Sequence, residues 1–424
     1  MNIDIPAGVR TFSRAETFQI KTILRKITDT FEKWAYEEIK LPYFEYLDVH
    51  KKGLDEEIIG KSFKIVDRNT GDILCLRADF TAQIARYFSS LKKKNLPKRY
   101  YYTGSIFRYV QPKGENLWER LQTGIELIGS SRLEADAEVI AVASQSLMEI
   151  GIDNFQIDIN NTKIFNILRE YLKISDKEYR EFMGFIKRRE IFNLKRFISD
   201  KKVEKDILDF IVNIPKFQGG IELIKDLSSK YPFIRDALTE LEGIYSILQD
   251  YGLSKKVVFD IGEPKEFSYY TGIVFEIFVK EFPKPIGQGG RYDSLISKYN
   301  GNVPATGFAF DILNIWDYMK EKALITQQNY KDYFIIDLTP DKKNAYRIGK
   351  ILREKGYKVG RDIIDRPLKE SIKFAFENRY RKVIVIGLDS NEKEIYIYST
   401  EEEFERKNIN EFLEKIAPKS AKYT

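Results

Sequence analysis

Acidic, amide, hydroxyl, phenol and guanidinium side chains recur in five short stretches of this 424-residue sequence. The stretches are residues 76–83, with Asp79 and Thr81; residues 107–109, with Arg108; residues 121–126, with Gln122 and Glu126; residues 267–272, with Tyr269 and Tyr270; and residues 289–293. Side chains alternate along a strand, so Gln122, Gly124 and Glu126 would share one face. Brought together on one antiparallel sheet, this set suits a small zwitterion with an amino group and a polar ring.

Each stretch also has a structural interpretation when it is taken singly. Asp79 precedes a predicted helix and could simply cap it. Arg108 could form a surface ion pair, and Glu126 could be solvated on an open sheet face. The two tyrosines could belong to the core and its rim, and the glycines of residues 289–290 could serve only a turn.

The composition excludes several other kinds of site. The chain has 70 Lys and Arg against 64 Asp and Glu, which gives a formal net charge of +6. That balance argues against a protein whose main task is to coat nucleic acid. A single cysteine, Cys75, excludes a disulfide framework or a multi-Cys zinc site, and a single histidine, His50, excludes sites built on several histidines. We therefore expect neither a metal nor a cofactor.

The N-terminal segment lacks the basic and apolar regions of a signal peptide. The sequence also contains no apolar run of about 18 residues, the length that a membrane-spanning helix requires. These features predict a cytoplasmic protein that does not associate with membranes.

The hydrophobic pattern predicts the elements that must position the five stretches. Apolar residues at helical spacing predict a helix within residues 13–40. Short β-like runs follow and recur between residues 257 and 310, which favours a largely antiparallel sheet with covering helices. A glycine-rich turn is predicted at residues 287–290, ahead of a helix.

Two changes of pattern predict the domain organisation. Between about residues 162 and 252 helical periodicity dominates, and we interpret this piece as a helical insertion within a core domain of residues 1–323. A polar linker at residues 324–331 leads to residues 331–424, where strands and helices alternate. That alternation predicts a small α/β domain with a mostly parallel sheet and a helix at residues 404–416. The fold class is therefore α+β with a C-terminal α/β domain.

The ordered set of motifs resembles the class II histidyl-tRNA synthetases and their paralogue, the regulatory subunits of ATP phosphoribosyltransferase. Pro42 stands where class II motif 1 has its proline, and the span from Arg108 to Gln122 matches motif 2 in length. Residues 268–272 and 289–293 resemble two histidine-specific signatures. The resemblance covers nearly the whole chain. It implies a class II synthetase-like antiparallel sheet and a C-terminal domain like the family's anticodon-binding domain.

The resemblance also implies a histidine-binding site. The positions that match the amino-acid side of the family's site are Asp79, Thr81, Arg108, Gln122, Glu126, Tyr269 and Tyr270. By this resemblance the α-amino group lies near Asp79, Thr81 and Gln122, and Arg108 faces the carboxylate. The imidazole meets Glu126 and the two tyrosines.

The positions that match the ATP side of the family's site have changed. Activation of histidine by ATP passes through an anionic transition state and needs fixed cations. Here Asn314 stands where motif 3 has its arginine, and Asp311 stands where a glycine is normal. Lys265 replaces an arginine and cannot form a bidentate fork. The motif 2 loop has lost its arginines at residues 114–119, and Arg120 replaces an aromatic residue that would stack on adenine.

Two functional hypotheses follow from the resemblance. The favoured one is a non-catalytic regulatory subunit of ATP phosphoribosyltransferase, required for the first step of histidine biosynthesis and for its feedback regulation. It implies a short-form catalytic subunit as partner, L-histidine as effector, and a homodimer within a hetero-octamer, but no tRNA. Asp79 favours it, because synthetases carry a glutamate there. The alternative is a divergent but active histidyl-tRNA synthetase, which the complete C-terminal domain favours because many regulatory subunits have a reduced one.

Overall fold

The chain forms two compact units, Met1–Ile325 and Thr326–Thr424, in a computed structural model. The structure describes residues 5–6, 8–111, 117–201, 203–263, 269–299, 301–325, 330–389 and 393–419. Each unit has its own hydrophobic core, so each is described by itself.

The first unit contains a large sheet, a small sheet and their covering helices. Its strands are β1 (Glu37–Glu38), β2 (Phe44–Tyr46), β3 (Lys64–Val66), β4 (Ile73–Leu76), β5 (Lys98–Phe107), β6 (Glu119–Ile128), β7 (Phe155–Asn161), β8 (Gln218–Gly219), β9 (Val257–Asp260), β10 (Ile273–Val279), β11 (Gly287–Arg291) and β12 (Ala305–Asp311). Its helices are α1 (Arg14–Lys33), α2 (Leu47–Gly53), α3 (Glu56–Gly60), α4 (Thr81–Ser90), α5 (Leu133–Glu149), α6 (Lys163–Leu172), α7 (Asp176–Lys187), α8 (Ile191–Ser199), α9 (Lys205–Asn213), α10 (Ile221–Lys230), α11 (Arg235–Asp250), α12 (Asp293–Ser297) and α13 (Ile312–Glu321). Short 3₁₀ turns occupy Ile214–Lys216, Pro232–Ile234 and Ser254–Lys256.

The large sheet has nine strands in the order β1-β5-β6-β12-β11-β10-β7-β9-β8. Only the β1–β5 and β7–β9 pairs are parallel, so the sheet is largely antiparallel, as the sequence predicts. Strand β6 is distant in sequence from β11 and β12, but it pairs with β12, which pairs in turn with β11. The sheet therefore brings residues 121–126 beside residues 305–311.

Helix α1 shows how one face of this sheet is covered. It begins with a capping box formed by Ser13 and Glu16, and it buries Ile20, Ile23 and Ile27 at helical spacing. These residues pack in the same core as helix α5 and as Ile125 and Leu127 of β6. Since side chains alternate along β6, Gln122, Gly124 and Glu126 project to the other face, where α4 and α12 pack.

The predicted glycine-rich turn at residues 287–290 is wrong, because these residues form strand β11. The glycines are needed for packing within the sheet. A Cβ on Gly289 would lie 2.4 Å from the Gly307 carbonyl oxygen, and a Cβ on Gly290 would lie 2.7 Å from that of Ile273. The helix that follows, α12, begins at Asp293.

The second unit contains strands β13 (Lys331–Asp337), β14 (Val359–Arg361), β15 (Tyr380–Ile386), β16 (Glu394–Tyr398) and β17 (Phe404–Asn408), and helices α14 (Lys343–Glu354), α15 (Leu368–Glu377) and α16 (Ile409–Lys415). The sheet order is β14-β13-β15-β16-β17. The first three strands are parallel, but β16 and β17 are antiparallel, so the expectation of a mostly parallel sheet is wrong for this half.

The helix predicted over residues 404–416 begins only at Ile409, because Phe404–Asn408 pairs with β16. All five residues of β17 are exposed and give no apolar periodicity from which to predict a strand.

Within the described ranges, none of the helices combines the length and the apolar character that crossing a membrane requires.

A buried ion pair attaches helix α5 to strand β11. The Arg291 guanidinium donates from Nε and Nη2 to Asp136 Oδ2, at 3.0 and 2.6 Å. Both side chains are almost completely buried. Removing one member of such a pair leaves an uncompensated charge in the protein interior.

We expect Asp136→Ala to lower the free energy of unfolding by up to about 3–5 kcal/mol, because the buried Arg291 charge would keep only its 3.2 Å contact with the partly exposed Asp293. Urea denaturation measures this change. Glu134→Ala is the matched control on the same helix, since Glu134 pairs with Arg132 at an exposed position. The control should lose much less stability, because an exposed ion pair contributes little. Equal losses for the two variants would contradict the assigned importance of the buried pair.

Candidate functional site

Glu126 is a carboxylate buried in the middle of strand β6, with 1% of its surface exposed. The Thr81 hydroxyl, at the start of α4, donates to its Oε1 at 2.9 Å. The Tyr292 hydroxyl donates to its Oε2. Glu126 is therefore not solvated on an open sheet face, and three separate elements meet at its carboxylate.

Two glycines provide the space that this carboxylate occupies. Gly307 of β12 lies directly opposite Glu126, and a Cβ there would come within 1.8 Å of Glu126 Oε2. A Cβ on Gly124 would lie 2.2 Å from the Phe308 carbonyl oxygen and 2.7 Å from the Tyr102 hydroxyl. Larger residues at either position would displace the groups that form the site.

Asp79 and Arg108 form an ion pair beside Glu126. Arg108 Nη2 lies 3.4 Å from Asp79 Oδ2, and Arg108 Nε donates to the Ala78 carbonyl at 2.8 Å. Asp79 also accepts from the Ala82 N–H in the first turn of α4 at 3.3 Å, so the same carboxylate contacts the helix and the guanidinium. Burial raises the pKa of Asp79, while the Arg108 guanidinium opposes that rise. Arg108 is mostly buried, so the pair is not a surface pair.

Four phenols complete the walls around Glu126. They belong to Tyr102 of β5, to Tyr269 and Tyr270 ahead of β10, and to Tyr292 after β11. The rings of Tyr269 and Tyr270 meet edge to face, with centroids 4.9 Å apart. Burial raises the pKa of all four phenols, so their hydroxyls keep their protons and can donate hydrogen bonds.

These residues line one cavity of about 390 Å³, which we call the inner pocket. Its lining includes all seven residues predicted from the sequence, Asp79, Thr81, Arg108, Gln122, Glu126, Tyr269 and Tyr270, together with Tyr102, Gln288, Tyr292, Gly307, Phe308 and Ala309. Sequence reasoning missed Tyr102, Gln288 and Tyr292 as site residues. Tyr292 belongs to the stretch at residues 289–293, but no spacing rule indicates that its hydroxyl reaches Glu126.

The inner pocket holds two carboxylates and one guanidinium. Burial raises the pKa of Glu126 to about 8, since hydrogen bonds from Tyr292 and Thr81 compensate only part of the lost hydration. The nearby Asp79 carboxylate raises it further. Such a site can bind a zwitterion of small size, with donors and acceptors for both of its charged groups.

A second cavity of about 1180 Å³, which we call the outer cleft, adjoins the inner pocket and shares Arg108, Gln122, Gln288 and Ala309 with it. Arg120 and Asp311 form an ion pair here, and Arg120 Nε lies 2.7 Å from Asp311 Oδ2. Asp311 also caps helix α13, and Asn314 Nδ2 donates to the Pro285 carbonyl. The predicted changes at Lys265 and residues 114–116 lie outside the described residues.

Over the part of the chain that the structure describes, no group of three or more His, Cys, Asp or Glu side chains could hold a metal ion. The only histidine, His50, is fully buried in α2, and neither of its ring nitrogens has a hydrogen-bond partner among the described residues. Burial lowers its pKa to about 4, which keeps it neutral. It is not among the residues that line the inner pocket.

Comparison with solved structures identifies the fold. The structure of a histidyl-tRNA synthetase from Nostoc sp. PCC 7120 superposes with a TM-score of 0.79 over 98% of this chain and 99% of that one, at 19% identity. An ATP phosphoribosyltransferase regulatory subunit/histidyl-tRNA synthetase from Bacillus halodurans C superposes with a TM-score of 0.78 over 90% of this chain and 98% of that one, at 26% identity. The fold and the site thus define a class II histidyl-tRNA synthetase-like chain.

Comparison of sequences identifies the family. The model of the histidyl-tRNA synthetase family matches residues 8–315. An ATP phosphoribosyltransferase regulatory subunit from Thermoanaerobacter sp. is 33% identical over 90% of this chain and 99% of its own length. One from Syntrophotalea carbinolica is 31% identical over 90% of both chains. The chain belongs to the ATP phosphoribosyltransferase regulatory subunit branch of the histidyl-tRNA synthetase family. The predicted fold class and family are confirmed, while the roles of the seven pocket residues remain predictions.

The raised pKa of Glu126 can be tested by measuring how the free energy of unfolding depends on pH. The unfolded state releases this proton near pH 4.5 and the folded state only near pH 8, so the folded protein loses stability as the pH rises between these values. Glu126→Gln mimics the protonated form and removes this loss. We expect the unfolding free energy of the variant, relative to the native chain, to increase by roughly 3 kcal/mol from pH 5 to pH 8.

Urea denaturation at several pH values checks this expectation. Glu119→Gln, an exposed position at the start of the same strand, is the matched control for loss of a carboxylate. A constant difference between Glu126→Gln and the native chain at every pH would contradict a protonated Glu126 at neutral pH.

Proposed function

We propose that this chain is a non-catalytic regulatory subunit of ATP phosphoribosyltransferase that binds L-histidine in the inner pocket. The observation that carries the proposal is the difference between the two cavities. All seven residues matched to the amino-acid side of the family's site line the inner pocket. The outer cleft, on the nucleotide side, instead contains the Arg120–Asp311 ion pair and lacks an arginine at Asn314.

The charges of the inner pocket are arranged for an amino acid. Asp79, Thr81 and Gln122 offer oxygen acceptors to an ammonium group, and the Arg108 guanidinium offers donors to a carboxylate. Glu126 and the phenols of Tyr269 and Tyr270 remain for the side chain, and an imidazole can donate to the carboxylate and contact the rings. Histidine satisfies all three groups at once.

The outer cleft is poorly suited to ATP activation. Arg120 already neutralises Asp311, so it is not available to a phosphate. Asp311 itself places negative charge where a triphosphate would need cations. The side chain of Asn314 is engaged with a backbone carbonyl and carries no charge. We therefore propose that aminoacylation activity has been lost.

The proposed partners are the short-form catalytic subunit of ATP phosphoribosyltransferase and a second copy of this chain, in a cytoplasmic hetero-octamer. A homodimer is supported by the small sheet β2-β4-β3, where Phe44, Tyr46 and Ile65 leave a large apolar surface exposed. We propose that residues 331–424 form a domain like the anticodon-binding domain and that tRNA is not a partner.

The proposal predicts the behaviour of a reconstituted complex. The short-form catalytic subunit from the same genome would be assayed alone, with this chain, and with this chain plus L-histidine. We expect the chain to raise the activity and histidine to suppress it only in the complex, because the effector site lies on this chain. Glu126→Ala should raise the half-inhibiting histidine concentration at least about tenfold, which corresponds to roughly 1.4 kcal/mol of binding energy.

Glu119→Ala, on the same strand but outside the inner pocket, should leave the half-inhibiting concentration within about twofold of the native value. If the chain changes neither activity nor inhibition, the regulatory function is wrong. If inhibition is normal in Glu126→Ala, the function stands but the site is wrongly assigned.

The alternative function, a divergent but active histidyl-tRNA synthetase, is favoured by the extent of the second unit, whose described residues form a five-stranded sheet with three helices. Exchange of labelled pyrophosphate into ATP, dependent on histidine, distinguishes the two. We expect no exchange above background, because Arg120 is paired with Asp311 and Asn314 stands where the family has its motif 3 arginine, so the outer cleft stabilises an anionic transition state poorly. The histidyl-tRNA synthetase of the same organism is the positive control, and exchange that requires Arg108 of this chain would favour the alternative.

A further inference from the structure

We infer that the inner pocket binds an imidazole side chain together with one proton, held between the Glu126 carboxyl group and a ring nitrogen. This inference rests on the proposed function, because it specifies the charge state of the ligand at the same site. It concerns the number of protons that are taken up or released when the ligand binds, which the identity of the ligand alone does not determine.

The first argument is the balance of charge in the inner pocket. Asp79 and Arg108 compensate each other as an ion pair. Within the described ranges, no Lys, Arg or His side chain forms a salt bridge with Glu126, which accepts only from the hydroxyls of Thr81 and Tyr292. The ammonium and carboxylate of a bound amino acid also cancel. An ionised Glu126 beside a neutral ring would therefore leave one uncompensated charge at a buried position, which is costly.

The second argument is the nature of the groups that face Glu126 from every neighbouring element. They are Asp79 and Thr81 around the start of α4, Tyr102 from β5, Arg108 after β5, Tyr269 and Tyr270 ahead of β10, Tyr292 after β11, and the side-chain-free Gly307 of β12. The phenols keep their protons, as their raised pKa values indicate. Arg108 is already paired with Asp79 and the other groups carry no positive charge, so neutrality requires one proton shared by Glu126 and the ring of the ligand.

The protonation of Glu126 favours this arrangement before histidine binds. Burial raises the pKa of Glu126 to about 8, so at pH 7 the carboxyl group already holds the proton. Free imidazole side chains have a pKa of about 6.5 and are mostly neutral at that pH. Binding at pH 7 then joins a protonated carboxyl group to a neutral ring and needs almost no proton from solvent. At pH 9 both groups have lost their protons, and binding must take one up.

Isothermal titration calorimetry of the full chain with L-histidine measures this proton. Titrations at pH 7 and pH 9, each in two buffers of different ionisation enthalpy, give the number of protons exchanged. We expect about zero at pH 7 and close to one taken up at pH 9, with Kd rising about tenfold per unit above pH 8. The α-ammonium group of the ligand also titrates in this range, so Glu126→Gln provides the baseline to subtract.

A ligand variant tests the same inference without a mutation. In β-(1,2,4-triazol-3-yl)-alanine the ring has nearly the shape of imidazole but accepts a proton only in strong acid. We expect it to bind the native chain at least tenfold more weakly than L-histidine at pH 7, and the difference to shrink in Glu126→Gln.

Failure of this inference can be distinguished from failure of the proposed function. Release of about one proton at pH 7, with little exchange at pH 9, would mean a neutral ring beside an ionised Glu126 and would overturn the inference while histidine binding stood. Equal affinities for L-histidine and the triazole analogue would overturn it as well. Absence of any histidine binding would instead overturn the proposed function.

Discussion

The burial of the Glu126 carboxylate against two strands that carry glycine is the constraint on which the inner pocket depends. Gly307 stands opposite it, where a Cβ would collide with its oxygen, and Gly124 leaves room for the Tyr102 hydroxyl. A carboxylate in such a place loses its hydration and must be stabilised by fixed donors. Thr81 and Tyr292 provide them from α4 and from the turn after β11. The positions of these elements thus follow from the need to satisfy one buried group.

The two cavities differ in how their charges are used. Among the residues that the structure describes, Glu126 of the inner pocket accepts only from hydroxyl groups, so a donor on a ligand still has a favourable place there. In the outer cleft, Arg120 and Asp311 satisfy each other, so an incoming phosphate finds one cation fewer and one anion more. The histidine-binding site that we propose can therefore exist beside a cleft that is poorly suited to a nucleotide. The same sheet supports both cavities, and side chains along its strands set the charges of each.

The strands and helices around the inner pocket are held together by an ion pair and a buried arginine that do not themselves line the pocket. Arg291 connects β11 to α5 through Asp136. Arg77, also buried, donates to the Ser105 and Leu41 carbonyls and packs over the Phe80 ring, directly before the helix that presents Thr81. Because each guanidinium has partners in more than one element, Arg77 holds β5 beside the segment that leads into α4, and Arg291 holds β11 against α5. The geometry of the inner pocket is consequently a property of the whole sheet.

The class of fold, the family and the seven residues that the structure brings into one cavity could all be predicted from the order of the motifs along the chain. The sequence also placed Gln122, Gly124 and Glu126 on one face, since alternation along a strand is a local property. The residues alone do not show that residues 287–290 form a strand, that β17 is not helical, or that Tyr292 reaches Glu126. The two strands are established by hydrogen bonding to neighbouring strands, and the Tyr292 contact joins elements that are far apart in the chain. The environment of Glu126, and with it the proton that we infer, likewise depends on burial between elements far apart in the chain, which no local pattern specifies.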